Sequence, residues 1–473
     1  MQKLDEYQQN ILKTNDNIRV IAGAGSGKTF TLLSKVYDLI ENEHVTPTQI
    51  LMISFTNASV DDIKRKIKYN IEVLTFHKLA IKILDNSKLN YKLASESTLT
   101  YIINEYLINA SKEEQHAILK YIQYTQKYCH FIKSNQFIYF KRFVSAFINQ
   151  YQSNNYSTTT IKTIHYSKRE IPIVTIIFKI FLLYIIEKNS NISLDLNDLI
   201  VYAKNNIDNI NFNYKYIIID EFQDTSYSRF DLVKTLSQKC SSKLIVVGDD
   251  WQSIYKFTGC NLNIFLNLEQ YVSNLTTITL SKNYRNSNML LQIAKFFIEK
   301  NSFQIKKELH SDINIKDPII FIPYTHKINA LKYILSNLIE SNIDDIMILS
   351  RNNNDIYGYI DKTFKIENDS ILYNNHFFKY LTIHRSKGLE SNVVILLNCN
   401  DNLMGFPNKL EDNSIMKKTF TTGEPIYSEE RRLMYVALTR TKSNIYILYD
   451  KNSPSIFISE LKKLKKKVSK KLS

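Results

Sequence analysis

A short glycine-rich segment is the feature that most constrains the fold of this chain. The 473 residues include only nine glycines, yet Gly23, Gly25 and Gly27 fall within five residues. Glycine permits backbone conformations and close approaches that a side chain would block, so this cluster predicts a tight turn around a ligand. The segment follows an apolar strand pattern at Ile18–Ala22 and precedes a helical pattern over Lys28–Glu41. That context is the one a phosphate-binding loop requires.

The residue types of this segment suit the phosphates of a nucleotide. Residues 22–29 read AGAGSGKT, with alanine where the strict phosphate-loop pattern begins with glycine. Backbone N–H groups and the amino end of the following helix would surround a β-phosphate. Lys28 can reach the β- and γ-phosphate oxygens, and the Thr29 hydroxyl can ligate Mg²⁺. A flexible loop or a dinucleotide site is the alternative, and the lysine–threonine pair argues against both. The nucleotide-binding candidates here are Ala22, Gly23, Ala24, Gly25, Ser26, Gly27, Lys28 and Thr29.

An acidic segment about 190 residues further along the chain predicts the metal ligand and the base of the same site. The stretch Tyr216–Asp220 has the pattern of a buried strand, and Glu221 follows it. Carboxylates at the carboxyl end of a parallel strand point into the crevice where ligands bind. Asp220 is placed to hold Mg²⁺, and Glu221 to orient the attacking water in phosphoryl transfer. Taken alone, the segment is also compatible with an acidic helix cap.

Strand and helix patterns alternate over most of the chain. Apolar strands are predicted at residues 18–22, 50–54, 216–220, 244–248, 319–322, 346–350 and 393–397. This alternation predicts an α/β fold with parallel sheets. Residues 78–195 contain no glycine and have helical spacing, so they predict a helical insertion. Within it, the apolar run Ile171–Ile186 is too short to span a bilayer and is interpreted as a buried helix. The Asn- and Asp-rich residues 351–380 predict a loop or small insertion.

Charge and cysteine content narrow the choice of partner and compartment. The formal net charge of +15 indicates a polyanionic partner. Seven lysines and no acidic residue lie in residues 461–473, which predicts a basic tail that adds phosphate affinity; a solvated end without function is the alternative. The four cysteines lack paired spacing, which argues against a disulfide framework or a zinc site. The polar start indicates no signal peptide, so we expect a cytoplasmic protein, nucleoid-associated if bacterial.

Together these segments resemble the UvrD/Rep-like superfamily 1 helicases along nearly the whole chain. Leu4–Gln8 resembles the segment with the adenine-reading glutamine, and DEFQD at 220–224 resembles the second motif. The segment 195–200 resembles the one that precedes that motif. The remaining matches are 55–57 and 75–77 (DNA-backbone segments), 248–259 (third motif), 283–285 (fourth), 382–390 (fifth) and 429–440 (sixth).

The resemblance implies a role for individual residues. The implied catalytic set is Lys28, Glu221, Gln252, Arg285 and Arg440, with Gln8, Tyr284 and Glu390 added as nucleotide contacts. The implied DNA contacts are Phe55, Thr56, Asn57, Thr75, His77, Tyr255, Phe257, Thr382 and His384. Two arginines suit a transition state whose negative charge spreads over the γ-phosphate oxygens, and exposed aromatics suit sequence-independent stacking on bases. Ordinary core packing is the alternative for the aromatic and histidine residues.

The resemblance also implies an architecture of two RecA-like, parallel-sheet motor domains. The expected domains are a first motor domain at 1–77 and 196–282, a helical insertion at 78–195, a second motor domain at 283–455 and a basic tail at 456–473. Thr258 stands where the family usually has arginine, and Ser386 where alanine is common. Only about 30 residues separate Ser350 from Thr382, so the large second insertion of the family, called 2B, is expected to be minimal.

The function implied is an ATP- and Mg²⁺-dependent DNA translocase or helicase of 3′–5′ polarity, acting on single-stranded or partly duplex DNA. The alternative is an ATP-driven DNA-sensing subunit that regulates a partner nuclease or defence effector without unwinding DNA itself. A third reading, an inactive DNA-binding scaffold, is disfavoured because Lys28, Asp220, Glu221, Arg285 and Arg440 are all present. A nuclease or a repair or replication factor is the protein partner expected, and no membrane is expected. RNA remains an alternative nucleic acid.

Overall fold

Two β-sheets organise the computed structural model, which describes residues 4–87, 89–157, 161, 163–402, 404–409, 413–420 and 424–472. The predicted domain limits also include residues that lie outside these ranges. The strands are β1 Asn17–Ala22, β2 Ile50–Ser54, β3 Glu72–Thr75, β4 Lys92–Leu93, β5 Ser193–Leu194, β6 Tyr216–Ile219, β7 Lys243–Gly248, β8 Leu275–Leu280, β9 Ile319–Tyr324, β10 Ile346–Ser350, β11 Lys365–Glu367, β12 Ser370–Tyr373, β13 His376–Thr382, β14 Ser391–Leu396 and β15 Thr441–Asp450.

Helices cover the faces of both sheets. The α-helices are α1 Glu6–Lys13, α2 Lys28–Glu41, α3 Asn57–Lys66, α4 Phe76–Asn86, α5 Glu96–Ile108, α6 Lys112–Tyr121, α7 Tyr128–Phe131, α8 Asn135–Ser153, α9 Ile171–Ser190, α10 Leu196–Asn205, α11 Tyr227–Cys240, α12 Leu262–Leu266, α13 Asn288–Ile298, α14 Lys327–Glu340, α15 Ser414–Phe420, α16 Ser428–Leu438 and α17 Ile456–Leu472. The α/β fold predicted from the sequence is confirmed.

The first sheet, with the helices packed on it, forms what we call the first lobe. Its strand order is β3-β2-β6-β7-β1-β8, and every pair is parallel. Strands such as β2, all of whose residues are buried, have continuous apolar sequences because helices cover both faces. Since the strands are parallel, their carboxyl ends share one edge. The glycine-rich loop after β1 and the acidic segment after β6 therefore lie at the same edge.

The second sheet forms the second lobe and has an antiparallel extension. Its order is β11-β12-β13-β10-β14-β15-β9, in which β13, β10, β14, β15 and β9 run parallel. Strands β11, β12 and β13 pair antiparallel. The loop or small insertion expected at 351–380 is therefore partly strand. Asn374 and Asn375, both at positive φ, make the tight turn between β12 and β13, which is the turn chemistry of a two-residue hairpin.

Helices α5 to α9 form a separate core, which we call the helical insertion. Helix α4 lies inside the predicted limits of this insertion, but Leu79 and Ile83 pack it into the core of the first lobe. The apolar run predicted to be a buried helix is α9, and it is only partly buried. Ile177 faces the core, whereas Leu182 and Ile186 are 58% and 62% exposed, because the helix is packed on one side only. Among the described residues, none of the helices combines the length and apolar character needed to cross a membrane.

A short helix of the second lobe lies on the helical insertion. We call α15 the crossing helix. Ile415 is fully buried in the core of the helical insertion, and the rings of Phe420 and Phe147 lie 5.0 Å apart. The Lys418 ammonium contacts the Glu170 carboxylate at 2.6 Å. The second lobe is therefore connected to the helical insertion here, away from the glycine-rich loop.

The last described residues form helix α17, not the tail expected from the sequence. Phe457, Leu461 and Val468 are buried, and α17 packs against α13. These apolar residues recur at helical spacing and form one stripe, while the lysines occupy the remaining surface. The expectation of a tail weighed the charge of this segment and not the spacing of its apolar residues.

Candidate functional site

The glycine-rich loop connects β1 to α2 and faces the second lobe. Gly25 and Gly27 have φ of +75° and +78°, a backbone region that disfavours other residues. A Cβ atom on Gly25 would lie 2.7 Å from Cβ of Arg285, which comes from the second lobe. Gly27 precedes the first residue of α2 and caps it without a side chain, so the first amides of the helix are available to an anion.

Charged side chains of the first lobe meet beside this loop. Lys28 Nζ lies 2.7 Å from a carboxylate oxygen of Glu221, and the Thr29 hydroxyl hydrogen-bonds to the Asp220 carboxylate. Burial and the adjacent Glu221 raise the pKa of Asp220. Burial opposes ionisation of Glu221 as well, but the nearby ammonium groups of Lys28 and Lys387 outweigh it and lower the pKa of Glu221. Glu221 therefore stays ionised at neutral pH, as a group that orients water must.

Two arginines of the second lobe reach the same cleft. Arg440 is only 1% exposed and donates to the side-chain oxygen of Gln252 at 2.8 Å. Burial and the charge of Arg285 lower the pKa of Arg440 to about 9, and the negative charge of Glu221 opposes this shift. Arg285 donates to Glu390 at 2.7 Å. The cleft therefore contains the predicted base from one lobe and both predicted arginines from the other.

The residues predicted to contact adenine flank the loop from opposite lobes. A Cβ atom on Gly27 would lie 3.2 Å from Gln8 Nε2 and 3.9 Å from the Tyr284 ring. Gln8 is almost fully buried, and its side-chain oxygen accepts from the Asp5 amide at 3.1 Å, which fixes the amide group. The Tyr284 hydroxyl donates to Asp5 at 2.6 Å. Asp5 thus orients both side chains.

The aromatic residues predicted to stack on bases lie against the second lobe. Phe257 is 54% exposed, and its ring centroid is 5.7 Å from that of His384. The Tyr255 hydroxyl donates to the backbone oxygen of His384 at 2.9 Å. Burial, with nearby positive charges, lowers the pKa of His384 to about 4, so this ring is neutral at neutral pH. Thr382 ends β13 beside this group.

The other predicted DNA contacts lie at the carboxyl edge of the first sheet. Phe55, Thr56 and Asn57 follow β2, and Thr75 and His77 lie where β3 leads into a helix. The hydroxyls of Thr56 and Thr75 each cap the following helix. Burial, with a smaller contribution from a nearby arginine, lowers the pKa of His77 to about 4. These residues share one edge because their strands are parallel neighbours.

One segment of the second lobe touches both groups of residues. Residues 383–390 run from the carboxyl end of β13 to the amino end of β14, and since these strands are parallel, the segment crosses the sheet. His384 lies beside Phe257 at one end, and Glu390 contacts Arg285 at the other. Between them, the Lys387 ammonium donates to the backbone oxygen of Gln252 at 2.8 Å.

Family comparisons agree with this arrangement. The sequence model of the UvrD/REP helicase N-terminal domain matches residues 4–273, which is more than half of the chain. The chain belongs to the UvrD/Rep helicase family. The model of the UvrD-like helicase C-terminal domain matches residues 377–452 of this UvrD/Rep member. The resemblance stated from the motifs is thereby confirmed.

Three similar proteins show how much of a relative this UvrD/Rep member spans. DNA helicase IV of Escherichia coli (strain K12) is 26% identical over 98% of this chain and 70% of its own length. The probable DNA helicase II homolog of Mycoplasma capricolum subsp. capricolum is 27% identical over 74% of this chain and 49% of its own length. The ATP-dependent DNA helicase Rep of Buchnera aphidicola subsp. Baizongia pistaciae is 29% identical over 81% of this chain and 56% of its own length. The chain thus spans between half and 70% of these relatives.

The sequence motifs of this UvrD/Rep member predicted most of the residues in the cleft, but two lysines were not among the predicted site residues. Lys387 lies inside the fifth motif and pairs with Asp224 and with Gln252, so its place in the motif was an available signal. Lys307 is buried against Asp249 and lies in no motif. No local pattern distinguishes Lys307 from the exposed Lys306 beside it. The roles of the individual site residues remain predictions.

Proposed function

We propose that this UvrD/Rep family chain is an ATP- and Mg²⁺-dependent DNA helicase that moves 3′–5′ along single-stranded DNA. The observation that carries the proposal is the crossing of residues 383–390 from the aromatic group at Phe257 to the charged cleft at Arg285. A change in the cleft that shifts this segment also shifts the residues placed to hold the strand. Coupling between the two sites is what a translocase needs.

The cleft suits the hydrolysis of a triphosphate. Lys28 and the loop amides would bind the β- and γ-phosphates, and Arg285 and Arg440 would stabilise the charge that develops on the γ-phosphate. Glu221, ionised beside Lys28, would orient the attacking water. Charge from both lobes on one phosphate group means that nucleotide binding favours the closed cleft. Release of phosphate removes that advantage.

Thr29 and Asp220 fit a magnesium ion. Mg²⁺ takes oxygen ligands and is commonly held by one or two protein groups together with substrate phosphates and water. The Thr29 hydroxyl and the Asp220 carboxylate are adjacent at the base of the loop. A cation there would also compensate the carboxylate pair of Asp220 and Glu221. When bound, Mg²⁺ would neutralise charge on the phosphates.

The domain division expected from the sequence is part of this proposal. We propose motor domains at 1–77 with 196–282 and at 283–455, and an insertion at 78–195. Separate apolar cores around β2 and β6, around β10 and β14, and around α8 and α9 support it. The packing of α4 with the first lobe favours a later start for the insertion.

ATP hydrolysis stimulated by single-stranded DNA tests the activity. We expect Lys28→Ala to abolish it, with the exposed Lys112→Ala variant of the helical insertion as a control that retains it. Strand displacement on duplexes with a 3′ or a 5′ single-stranded tail tests the polarity, and only the 3′ tail should support unwinding. Retained hydrolysis in Lys28→Ala would contradict the whole assignment.

A DNA-sensing subunit that controls a partner nuclease or defence effector is the second candidate. The chain has only the small antiparallel extension β11–β13 at the place where the family carries its large 2B insertion. This short extension favours the sensing function. The same displacement experiment separates the two functions. DNA-stimulated hydrolysis without unwinding on either tail would support the sensor.

A further inference from the structure

Lys307 is a fully buried lysine at the junction between the lobes. Its side chain has no exposed surface, and the same is true of its partners Asp249 and Asp250. The ammonium contacts both carboxylates, the second at 2.7 Å, and donates to the backbone oxygen of Ala22 at 3.2 Å. It also lies 4.6 Å from the ring centroid of Trp251. The ammonium therefore donates two hydrogen bonds, to Asp249 and to Ala22, and forms an ion pair with Asp250.

The location of this cluster matters more than its stability. Burying an ion pair is costly, and a hydrophobic replacement of similar volume is often as stable, so a buried lysine is weak evidence for a stabilising role. Here the three contacts join segments that are far apart in the sequence. Ala22 begins the glycine-rich loop, Asp249 follows β7, and Lys307 comes from the link between β8 and β9. The cluster therefore fixes the relative position of these segments.

The other oxygen of Asp249 connects the cluster to the cleft. Gln252 donates through Nε2 to Asp249 Oδ2 at 2.6 Å, and its Oε1 accepts from Arg440 at 2.8 Å. The two ends of an amide group differ, since one donates and the other accepts. Asp249 accepts only, so it holds the Gln252 amide with Oε1 toward the arginine. A continuous chain of contacts thus runs from Ala22 through Lys307, Asp249 and Gln252 to Arg440.

We propose that Lys307 is a positioning residue for phosphoryl transfer, which holds Asp249 so that the Gln252 amide stays oriented toward Arg440. This inference rests on the proposed function, in which Gln252 contacts the γ-phosphate. Without the ammonium, the Asp249 carboxylate loses the cation that holds its Oδ1 and rotates. A rotated carboxylate no longer fixes the Gln252 amide, which turns over and presents N–H groups to Arg440.

This role predicts a loss in kcat with little change in ATP binding. The Lys307 ammonium reaches the loop only through the backbone oxygen of Ala22, and its described contacts do not include Gln8, Tyr284 or Lys28. We expect Lys307→Met to lower the kcat of DNA-stimulated ATP hydrolysis roughly 10- to 100-fold, the scale of a small misplacement of a reacting group. The KM for ATP should change less than about threefold.

Lys35 provides a matched control. It is also fully buried, donates to the backbone oxygen of Leu12 at 2.6 Å, and pairs with Glu43 at 3.3 Å and Asp38 at 3.6 Å. It does not contact Gln252. Lys35→Met should lower the thermal midpoint as Lys307→Met does, while its kcat stays within about threefold of wild type. Equal losses of kcat in the two variants would reduce Lys307 to a structural role.

A double-mutant cycle with Gln252→Ala decides whether Lys307 acts through Gln252. In the Gln252→Ala background, Lys307→Met should lower kcat by less than about twofold, because the group it positions is gone. An undiminished loss in that background overturns the proposal. If Lys307→Met does not fold, Asp249→Asn interrupts the same contact from the other side, and wild-type kcat in that variant overturns the proposal equally. A wild-type protein without DNA-stimulated hydrolysis would instead overturn the proposed function.

Discussion

The second lobe contacts the rest of the chain at two places that differ in chemistry: the first lobe at the cleft, and the helical insertion at the crossing helix. At the cleft, polar and charged contacts lie beside an apolar one: Arg440 donates to Gln252, Lys387 pairs with Asp224, and the ring centroids of Trp251 and Tyr435 lie 5.3 Å apart. At the crossing helix the contacts are mainly apolar, with Ile415 buried in the core of the helical insertion. The polar partners at the cleft are ones that the phosphates of a nucleotide could replace.

This difference indicates which contact opens. Phosphate oxygens can take over the hydrogen bonds of buried arginines, so the cleft contacts can be exchanged without loss of partners. No ligand replaces the apolar contacts of the crossing helix, and exposing one large side chain costs about 1.5–3 kcal/mol. We therefore expect motion between the lobes to change the cleft first and to leave the crossing helix in place.

The largest expected effect is at the cleft. Arg440→Ala removes a charge from the phosphate site and leaves the buried oxygen of Gln252 without its donor. We expect DNA-stimulated ATP hydrolysis to fall by about 10³-fold or more, the range known for arginine fingers. Arg431, which is also buried and donates to Glu460 at 2.7 and 2.9 Å, is the matched control. Arg431→Ala should lower stability and leave kcat nearly unchanged. Comparable hydrolysis rates of the two variants would show that Arg440 does not act on the phosphates and that the cleft is not the site of hydrolysis.

The next effect concerns the crossing helix. Phe420 is partly buried against Phe147, so Phe420→Ala should lower the free energy of unfolding by about 2 kcal/mol. ATP hydrolysis without DNA should stay at the wild-type rate, because no residue of the cleft touches this ring. Urea denaturation and steady-state hydrolysis measure the two quantities. Ile426→Ala, at a position 82% exposed, is the control that should change neither. Loss of hydrolysis in Phe420→Ala would show that the crossing helix is itself part of the switch.

The cleft was predictable from the sequence because its parts are short segments with diagnostic residues. Lys28 follows three closely spaced glycines, and Glu221 follows a buried strand. The family resemblance then supplied the second-lobe arginines, Arg285 and Arg440. The parallel sheets follow from the strand patterns, although the parallel strands β3, β8, β13 and β15, which contain polar residues, were missed. A pattern that depends on continuous apolar runs cannot find such strands.

The crossing helix and the Lys307 cluster were not predictable, because both depend on contacts between distant parts of the chain. The sequence around Ile415 resembles that of an ordinary surface helix, and Ile415 is buried only because the helical insertion packs against it in the fold. Lys307 differs from Lys306 only in the direction that the fold gives its side chain. Helix α17 is a different case. The spacing of Phe457, Leu461 and Val468 indicates an amphipathic helix, but the sequence interpretation followed the lysine content of the segment instead.

A smaller effect is expected from the histidine beside the aromatic group. The pKa of His384 is about 4, below the ordinary value of 6.5, so between these pH values the unfolded chain binds more protons. The contribution of His384 to stability is therefore complete above pH 6.5 and is lost as the pH falls toward 4. Replacement with Asn should reduce the stability difference between pH 7 and pH 5 by about 1.5 kcal/mol, measured by urea denaturation. An unchanged difference would mean that His384 is solvated and that this end of residues 383–390 is open.

The smallest effect is expected at a surface that belongs to neither contact. Lys463, Lys466 and Lys470 are exposed on one face of α17, and removing the whole segment would also remove the buried Leu461 and Val468. Substitution of the three lysines with Gln is therefore the cleaner experiment. If this face binds the phosphates of single-stranded DNA, the slope of log affinity against log salt should become shallower by about 0.7 for each phosphate that the variant no longer neutralises. DNA-stimulated kcat at saturating DNA should not change, because α17 has no residue in the cleft. A lower kcat would instead show that α17 affects hydrolysis in the cleft through its packing on α13.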